Sequence, residues 1–369
     1  MSIVQKIKRF YRYTTIYGFN RTLIKSFGHL RLNIPIWLYF AFPRYLRTGK
    51  KVGIIGCGHH SFSSISYFII SNSNAKLLWA YDTNINSSKS LSKNFGIKYW
   101  ELKQIKDLET NLVYIVSNHS THTEYAIEYL KKGCDVYIEK PISINENQLK
   151  ELSEVVESSE NHVYVGYNRP HSPAIKLVKK TVENSNTPFT LSAYIIGHML
   201  NKDHWYRDPK EGTRIVSNAG HWIDLATHIM FWKEDIPKRL HISIAYSNSN
   251  TPSDNISINI TTSNNDLISI VFSTRNEPYE GVNETINFQQ DNINAKIDDF
   301  RKIKIWNKDK ILNKKFYPKN NGHKEAVLQP LSKIEPRKWK EIKISTQLML
   351  FIEKMVQNLD SEGIFEIRN

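Results

Sequence analysis

Cysteine is scarce in this chain: Cys57 and Cys134 are the only two among 369 residues. Two cysteines cannot form a disulfide framework or a four-thiolate zinc site, so the composition favours a reducing compartment such as the cytoplasm. Long apolar runs are lacking too. The longest uncharged apolar run, residues 34–43, has ten residues, whereas a membrane-spanning helix needs about 20. Met1 is not followed by an apolar signal core, so no secretory leader is expected.

The start of the chain has no acidic residues, and the first one in the sequence is Asp82. Residues 1–51 hold eleven Lys or Arg, so most of the excess charge in the net +14 lies there. Aromatic and aliphatic residues are interleaved with these cations. We predict a separate basic and apolar arm over residues 1–50, which contacts the inner face of an anionic membrane through residues 1–47.

The alternative is that the aromatic residues of the arm pack on the folded body or on a second subunit. Nucleic acid is not expected as a partner, because the cations cluster in an apolar arm and no nucleic-acid-binding motif accompanies them.

From Lys51 onward, short apolar runs alternate with helix-like stretches. The runs cover residues 51–58, 77–82, 111–118, 135–141 and 162–168, and helical patterns cover 121–133 and 145–159. This alternation predicts a parallel sheet with right-handed crossovers. The nearly continuous Val, Ile, Leu and Tyr content of the runs predicts burial on both faces. We therefore expect a doubly wound α/β domain over residues 51–167.

Beyond residue 168 the pattern changes to polar and apolar residues in alternation, at 240–247, 255–263, 266–273 and 284–290. Asn, Ser and Asp turns separate these stretches, which predicts an antiparallel sheet with one covered face. Residues 346–359 form a closing amphipathic helix. We expect an α/β domain with an open, mainly antiparallel sheet over 168–369, serving substrate binding and assembly into homo-oligomers.

The first chemical motif is the glycine-rich sequence GIIGCGHHS at residues 53–61. Gly56 and Gly58 match a G-x-G-x-x-G pattern, and Ser61 takes its third position. Such glycines allow a tight turn and let a pyrophosphate approach backbone N–H groups at a helix N-terminus. Asp82 ends the second run, where a carboxylate can bind the ribose hydroxyls of a dinucleotide. An ordinary strand–turn–helix is the alternative.

The same acid bears on the choice of cofactor. A carboxylate at Asp82 repels a 2′-phosphate, and no Lys or Arg follows it before Lys89. NAD is therefore expected, and NADP is the less favoured cofactor.

Two further motifs supply ionisable groups. Lys140 lies in Glu139-Lys140-Pro141 after an apolar run, and the C-terminal end of a parallel strand faces the ligand crevice. His221, Asp224 and His228 are spaced for one helix face, and a histidine near a carboxylate can accept a proton. A solvated lysine and a buried histidine capped by Asp224 are the alternatives. No metal site is predicted, because no third type of ligand is evident.

In this order and spacing the motifs resemble the Gfo/Idh/MocA family of oxidoreductases over about residues 51–369, including residues 117–133, 137–143 and 165–173. The family joins an NAD(P)-binding Rossmann domain to an α/β domain with an open antiparallel sheet, and its members act on sugars, cyclitols and nucleotide-linked sugars. The resemblance implies that Lys140 and His221 lie beside the nicotinamide, with Asp224 as an orienting or substrate-binding acid. The implied cofactor contacts are Gly56, Gly58, His59, Ser61, Asp82, Ser117, Asn118, His122, Glu139 and Lys140.

Candidate substrate contacts flank these motifs. Asn168 and Arg169 follow the last parallel run, and Arg207 and Arg214 precede the His221 helix, where arginines can hold a diphosphate or a carboxylate. A solvated loop cation is the alternative for each arginine. Residues 203–214 and the basic arm resemble a subgroup found with surface-polysaccharide biosynthesis enzymes.

The expected activity is hydride transfer to or from a sugar or nucleotide-sugar hydroxyl, with NAD as cofactor. One departure from the family pattern keeps other functions open: Ser217 stands where the family often has an acid, four residues before the histidine. The alternatives are a non-catalytic sensor that binds NAD or a sugar, and a membrane-surface assembly factor.

Overall fold

The computed structural model describes residues 3–31, 47–99, 109–183, 185–276, 280–332 and 334–367. The chain forms two compact units. The first contains residues 19–167 and 323–339, and the second contains 1–18, 168–322 and 340–369. Within the described ranges, every helix is too short or too polar to cross a membrane.

The described residues contain fifteen strands, numbered in chain order. They are β1 Lys51–Ile55, β2 Lys76–Tyr81, β3 Lys98–Tyr99, β4 Leu112–Ile115, β5 Asp135–Ile138, β6 Val163–Val165, β7 Phe189–Ile196, β8 Arg239–Tyr246, β9 Ile256–Thr262, β10 Leu267–Ser273, β11 Asn283–Gln290, β12 Ile293–Asp298, β13 Lys302–Asn307, β14 Lys310–Lys315 and β15 Glu362–Glu366.

The α-helices are numbered in the same way. They are α1 Ile3–Tyr17, α2 Phe19–Leu30, α3 Tyr67–Asn72, α4 Ile85–Phe95, α5 His122–Lys131, α6 Glu146–Ser158, α7 Pro173–Val182, α8 Gly220–Met230, α9 His323–Leu328 and α10 Trp339–Asn358. Single π-helical turns, Ser61–Ser66 and Ile215–Ala219, lead into α3 and α8.

The first unit is built on a six-stranded parallel sheet in the order β3-β2-β1-β4-β5-β6. This is the strand order of a Rossmann sheet, so the predicted doubly wound fold is confirmed. Its central strands are apolar and buried, as in the four residues of β4. Helix caps set the connections: the Asn84 side chain accepts from the Asn86 N–H at the start of α4, and Gly96 ends that helix with φ of 58°.

A late part of the sequence returns to this unit. Val327, in α9, is 1 % exposed and belongs to the same apolar core as Val52 and Phe62. The Tyr114 hydroxyl donates to the Val327 carbonyl oxygen at 2.7 Å, and Gln329 Nε2 donates to the Val165 carbonyl oxygen at 3.0 Å. The parallel sheet is thus packed against residues that lie far from it in sequence.

The second unit contains a nine-stranded sheet in the order β14-β13-β12-β11-β7-β10-β9-β8-β15. Among the described strands of this sheet only the β7–β10 pair is parallel, so the predicted mainly antiparallel sheet is confirmed. Exposure alternates along its strands; in β7 every second residue is buried. One face of the sheet is therefore covered, as the alternating sequence predicts. Strands β7 and β12–β15 also belong to the sheet, and the sequence pattern did not predict them.

The N-terminal arm differs from its prediction as a separate appendage. In the first unit, Ile24 and Thr22 of α2 are buried, and Arg21 donates to the Ser64 hydroxyl at 2.7 Å. Arg47, 7 % exposed, donates to the carbonyl oxygens of Ile70 and Ser73 at 2.8 and 3.0 Å. The basic residues of the arm satisfy backbone acceptors here, which composition alone does not reveal. The apolar run at 34–43 lies outside the described residues.

Candidate active site

The glycine turn follows β1 and leads into the π-helical turn before α3. Gly56 has φ of +88°, and a Cβ built there would lie 2.4 Å from the backbone of Val116, so only glycine fits. A Cβ built on Gly58 has no described atom within 4 Å. Ser61 is fully buried. The turn is therefore tight at Gly56 and open at Gly58.

Asp82 follows β2 and contacts this turn. Its Oδ2 accepts from the Cys57 N–H at 2.6 Å, and its Oδ1 accepts from the Asn84 N–H at 2.8 Å. The predicted ribose-binding carboxylate and the predicted phosphate-binding turn are thus brought together. An open glycine backbone beside a fixed carboxylate is a donor and acceptor set that fits the adenosine half of NAD.

Glu139 is buried at the end of β5, immediately before Lys140. It accepts from the Tyr137 hydroxyl at 2.9 Å and from the Lys140 N–H at 3.1 Å, and His60 Nε2 lies 3.1 Å away. Burial by itself would raise the pKa of Glu139, but His60, Lys140 and Tyr137 outweigh it and lower that pKa to about 2. Glu139 is therefore an anion that fixes the backbone at Lys140. His60 had no role in the sequence prediction.

His122 holds two loops together. Its ring nitrogens lie 2.7 Å from the Pro141 carbonyl oxygen and 3.0 Å from the Ser117 carbonyl oxygen, and burial lowers its pKa. The ring is 1 % exposed, so its place is between the two loops and not on an open surface. Two other predicted cofactor contacts precede His122 in the chain. The Ser117 hydroxyl accepts from the Thr121 hydroxyl at 2.8 Å, and Asn118 is exposed.

His59, in the glycine turn, is covered by the arm. Its ring stacks on His29 of α2 with centroids 3.9 Å apart. Burial, followed by the nearby His29 and Lys25, lowers the pKa of His59 to about 4. The side chain is therefore neutral at pH 7, and its ring face packs against α2.

The second unit carries the other predicted catalytic group. His221 is half-buried in the first turn of α8, after the π-helical turn, and its ring lies edge-on to Trp222 at 6.0 Å. Ser217, at the position of the family acid, is fully buried and donates to the Thr213 carbonyl oxygen at 2.8 Å. Its hydroxyl therefore forms a hydrogen bond with the local backbone.

Asp224 does not join His221 on an open face, in contrast to the prediction. Asp224 is 0 % exposed and accepts from the Ser345 hydroxyl of α10 at 2.9 Å. His228 also faces α10, with Nδ1 2.7 Å from Glu341 Oε1. Both side chains join α8 to α10. Within the described part of the chain, no cluster of three His, Cys, Asp or Glu side chains could hold a metal ion.

Asn168 and Arg169 are structural residues, which corrects their prediction as substrate contacts. Arg169 is 4 % exposed and donates from Nε and Nη2 to the two oxygens of Glu284, each at 3.1 Å. The Trp222 indole donates to the same carboxylate at 2.7 Å, and Arg169 lies 4.3 Å from the centre of that ring. Asn168 is fully buried and donates to the Asn321 carbonyl oxygen at 2.7 Å.

Arg207 and Arg214 share one acid, Asp254, and so do not form the predicted open anion clamp. Arg207 Nη2 is 2.9 Å from Asp254 Oδ2, and Arg214 Nη1 is 2.8 Å from Oδ1. Arg214 is 1 % exposed and also donates to the His198 carbonyl oxygen at 2.5 Å. Its charge is used within the fold, and Arg207 keeps partial exposure.

We expect Glu284→Ala to lower the free energy of unfolding by about 3–5 kcal/mol, because it leaves the Arg169 charge buried without its partner. Urea unfolding monitored by circular dichroism measures this loss. Glu366→Ala is the matched control, because Glu366 pairs with Arg239 on the surface and such pairs contribute about 0–1 kcal/mol. Equal losses in the two variants would contradict the structural role of Glu284.

Comparison with known proteins supports the resemblance. Residues 50–167 match the Gfo/Idh/MocA family, described as an oxidoreductase family with an NAD-binding Rossmann fold. The chain is 26 % identical over 187 residues to oxidoreductase P35 of Formosa agariphila, covering 48 % of this chain and 57 % of that protein. It is 25 % identical over 190 residues to glucose-6-phosphate 3-dehydrogenase of Bacillus subtilis, covering 50 % and 53 %.

The chain thus spans little more than half the length of these curated relatives. Similarity of fold extends further. An oxidoreductase domain protein from Kribbella flavida superposes with a TM-score of 0.71 at 14 % identity, over 87 % of this chain and 100 % of that one.

The strand order, the glycine turn with Asp82 and the family match lead to one conclusion. Residues 50–167 match the Gfo/Idh/MocA family, in agreement with the resemblance that the motifs predict. The family's NAD-binding character agrees with the predicted cofactor.

Proposed function

We propose that the protein is an NAD-dependent oxidoreductase that transfers hydride to or from a CH–OH group of a sugar. The observation that carries the proposal is the open Gly58 backbone beside the fixed Asp82 carboxylate, followed along the sheet by Lys140 at the end of β5. These groups lie at the carboxyl ends of parallel strands, where such sheets bind their ligands.

NAD held at the glycine turn beside Asp82 would supply the hydride acceptor. Two side chains of the protein act on the oxygen from which the proton leaves. His221 accepts the hydroxyl proton as general base. Lys140 donates a hydrogen bond to the same oxygen and stabilises its developing charge. Glu139 keeps the Lys140 backbone in place through the N–H bond described above.

A panel of sugars, cyclitols, sugar phosphates and nucleotide sugars, each added with NAD, tests the proposal through the absorbance of NADH. An oxidoreductase forms NADH with at least one member of the panel, or consumes NADH with the corresponding ketone. NAD binding by calorimetry, without turnover on any member or ketone, would favour the non-catalytic sensor. The observation that favours the sensor is Ser217, whose hydroxyl is buried and bonded to the backbone where the family often has an acid.

The substrate class is proposed to be a phosphorylated or nucleotide-linked sugar. Support comes from the similarity to a glucose-6-phosphate 3-dehydrogenase. Arg207 is the predicted substrate contact that keeps partial exposure. A role in surface-polysaccharide biosynthesis is proposed from the resemblance of residues 203–214 and the arm. A cytoplasmic location and assembly into homo-oligomers stay predictions.

Membrane attachment is proposed for α1 alone. Val4, Ile7 and Tyr11 are 61, 63 and 71 % exposed and stand at helical spacing on one stripe. The helix has no acid and carries Lys6, Lys8, Arg9 and Arg12. An exposed apolar stripe flanked by cations is typical of a helix that lies on an anionic membrane surface.

We expect the full chain to float with vesicles containing phosphatidylserine at low salt and to be released as salt rises. Replacing Val4, Ile7 and Tyr11 together with serine should abolish flotation without unfolding the chain, because all three are exposed. Ile311→Ser, an exposed residue of β14, is the control. Equal flotation of the triple variant and the parent would contradict attachment through α1. Deletion of residues 1–47, a simpler design, would also remove the buried Ile24 and Arg47.

A further inference from the structure

His60 stands at the end of the glycine turn, immediately before the π-helical turn Ser61–Ser66. Its neighbour His59 packs against α2, whereas the His60 ring lies beside the end of β5, with Nε2 3.1 Å from Glu139 Oε1. The side chain of His60 is 43 % exposed and that of Glu139 is 11 % exposed. A histidine in contact with solvent therefore reaches a buried carboxylate.

The Glu139 carboxylate is closely surrounded. A Cβ built on Gly166, after β6, would lie 2.7 Å from Glu139 Oε2 and 2.9 Å from Oε1, so the backbone there contacts the carboxylate. Tyr137, 1 % exposed, donates its hydroxyl to Oε1 at 2.9 Å, and the Lys140 N–H donates to Oε2 at 3.1 Å. Both donors are fixed, the first by burial and the second by its place in the backbone.

Charge distinguishes His60 from these two donors. The Tyr137 hydroxyl and the Lys140 N–H are neutral, whereas an imidazole can carry a positive charge beside the carboxylate. Burial raises the pKa of Glu139, and His60 is the largest of the influences that lower it. Without His60, we therefore expect burial to move the Glu139 pKa upward, toward neutral pH.

The other titratable side chains near this pair are Lys140, His122 and His323. The Lys140 charge lowers the Glu139 pKa less than His60 does. Burial lowers the pKa of His122, whose ring nitrogens both contact backbone carbonyl oxygens. His323, at the start of α9, faces His60 with ring centroids 6.3 Å apart. Among the charges around the carboxylate, that of His60 has the largest effect.

We propose that His60 is a positioning residue, which holds the Glu139 carboxylate against the Lys140 N–H and so sets the place from which the Lys140 side chain extends. The inference rests on the proposed oxidoreductase function, in which Lys140 donates to the reacting oxygen. Desolvation offsets much of the energy of a buried ion pair, so this pair contributes orientation more than stability. A reacting group displaced by about 1 Å can lose roughly 10²-fold in rate.

Substitution of His60 tests this role. His60→Leu should lower kcat roughly 10- to 100-fold, because Glu139 loses its charged partner and no longer fixes the Lys140 backbone. His60→Gln keeps an N–H donor without the charge, so its kcat should lie between the two, and it carries the same tests if His60→Leu fails to fold. His162→Leu, at an exposed histidine of the same unit, is the matched control and should keep parental kcat. The assay uses NAD with glucose 6-phosphate and the other members of the panel.

The pH profile separates positioning from a purely structural role. In the parent, the Glu139 pKa of about 2 keeps the carboxylate ionised throughout the assay range. In His60→Leu, Glu139 should bind a proton as the pH falls, so the ratio of variant to parental kcat should be lowest at acidic pH and rise with pH. A general weakening of the fold would lower this ratio equally at every pH.

A double variant shows whether His60 acts through Glu139. Glu139→Gln keeps the shape of the side chain and removes its charge. Adding His60→Leu to Glu139→Gln should lower kcat by no more than about twofold further, because the two changes remove one interaction. Full additivity would contradict the coupling. A loss confined to NAD affinity, measured by calorimetric titration, would place His60 in cofactor binding instead.

Hydrogen exchange at the Lys140 N–H tests the contact without a substrate. Exchange should be roughly tenfold faster in His60→Leu than in the parent, the scale of one weakened charge-assisted hydrogen bond. The Glu139 N–H, which donates to the Ile115 carbonyl oxygen at 2.9 Å, is the internal control and should exchange at the parental rate. Mass spectrometry with fragmentation to single residues measures both.

The proposal is overturned if the Lys140 N–H exchanges at the parental rate in His60→Leu, or if kcat of that variant stays near the parental value. Faster exchange at Lys140 in a protein that turns over no member of the panel supports the His60 contact and contradicts the oxidoreductase function. Parental turnover that is unchanged in His60→Leu contradicts the role of His60 alone.

Discussion

Replacing His221 with asparagine is expected to lower kcat about 10²- to 10⁴-fold on the true substrate, the usual effect of removing a proton-transfer group. Lys140→Ala should cause a loss of similar order, because it removes a donor to the charge that develops on the same oxygen. Both groups act mainly in the transition state, so NAD affinity should change little. Steady-state kinetics and NAD titration on the same preparations measure the two effects.

Matched controls separate chemistry from general disturbance. His241 is an exposed histidine of β8, and Lys132 pairs with Glu128 on the surface of α5. His241→Asn and Lys132→Ala should keep near-parental kcat. Near-parental turnover in the His221 or Lys140 variant would show that its role is misassigned. A kcat that recovers at high pH in the His221 variant would support its assignment as the base, because hydroxide can then replace it.

The second large effect is expected at Gly56. Gly56→Ala should lower the free energy of unfolding by about 2–5 kcal/mol, because alanine is strained at positive φ and its methyl group overlaps the Val116 backbone. Gly58→Ala should change stability by no more than about 0.5 kcal/mol, because the space around it is open. In the proposed cofactor site its methyl group would lie where a pyrophosphate approaches, so NAD affinity should fall about tenfold.

Urea unfolding and calorimetric NAD titration on both variants give the four values needed. The two glycines are two residues apart, so each variant serves as the control for the other. A stable, fully folded Gly56→Ala protein would contradict the geometry of the turn. Unchanged NAD affinity in a folded Gly58→Ala protein would place the pyrophosphate elsewhere.

The two sheets could be predicted because their signals are local. β1, β4 and β5 are short apolar runs buried on both faces, and β8–β11 alternate strictly between covered and open faces. Asp82 directly follows β2 and Lys140 lies two residues beyond the end of β5, so the apolar runs were enough to predict that both lie at strand ends.

The substrate arginines could not be predicted, because their partners are distant in sequence. Glu284 is 115 residues from Arg169, and Asp254 is 40 residues from Arg214. A loop arginine whose guanidinium is exposed and a loop arginine that pairs with a buried carboxylate can have the same local sequence. The same holds for Asp224, whose partner Ser345 lies 121 residues away on α10.

The arm was misjudged for a related reason. Its cations suggested a separate arm on an anionic membrane, yet Arg21, Arg31 and Arg47 donate to backbone carbonyl groups or to a hydroxyl of the parallel-sheet unit. Arginine can be buried against carbonyl oxygens when its stem packs on apolar residues. Charge counting reports the number of cations and leaves their acceptors unknown.

The return of α9 to the parallel-sheet unit bears on how the protein matures on the ribosome. Strands β1–β6 are synthesised before residue 166, but Val327 and Gln329, which complete their packing, emerge roughly 160 residues later. At about 5–20 residues per second, the nascent sheet waits on the order of 10–30 s for its last partner. During that interval the apolar surface of the parallel sheet that later contacts α9 is uncovered, so early chaperone contact should concentrate on that surface.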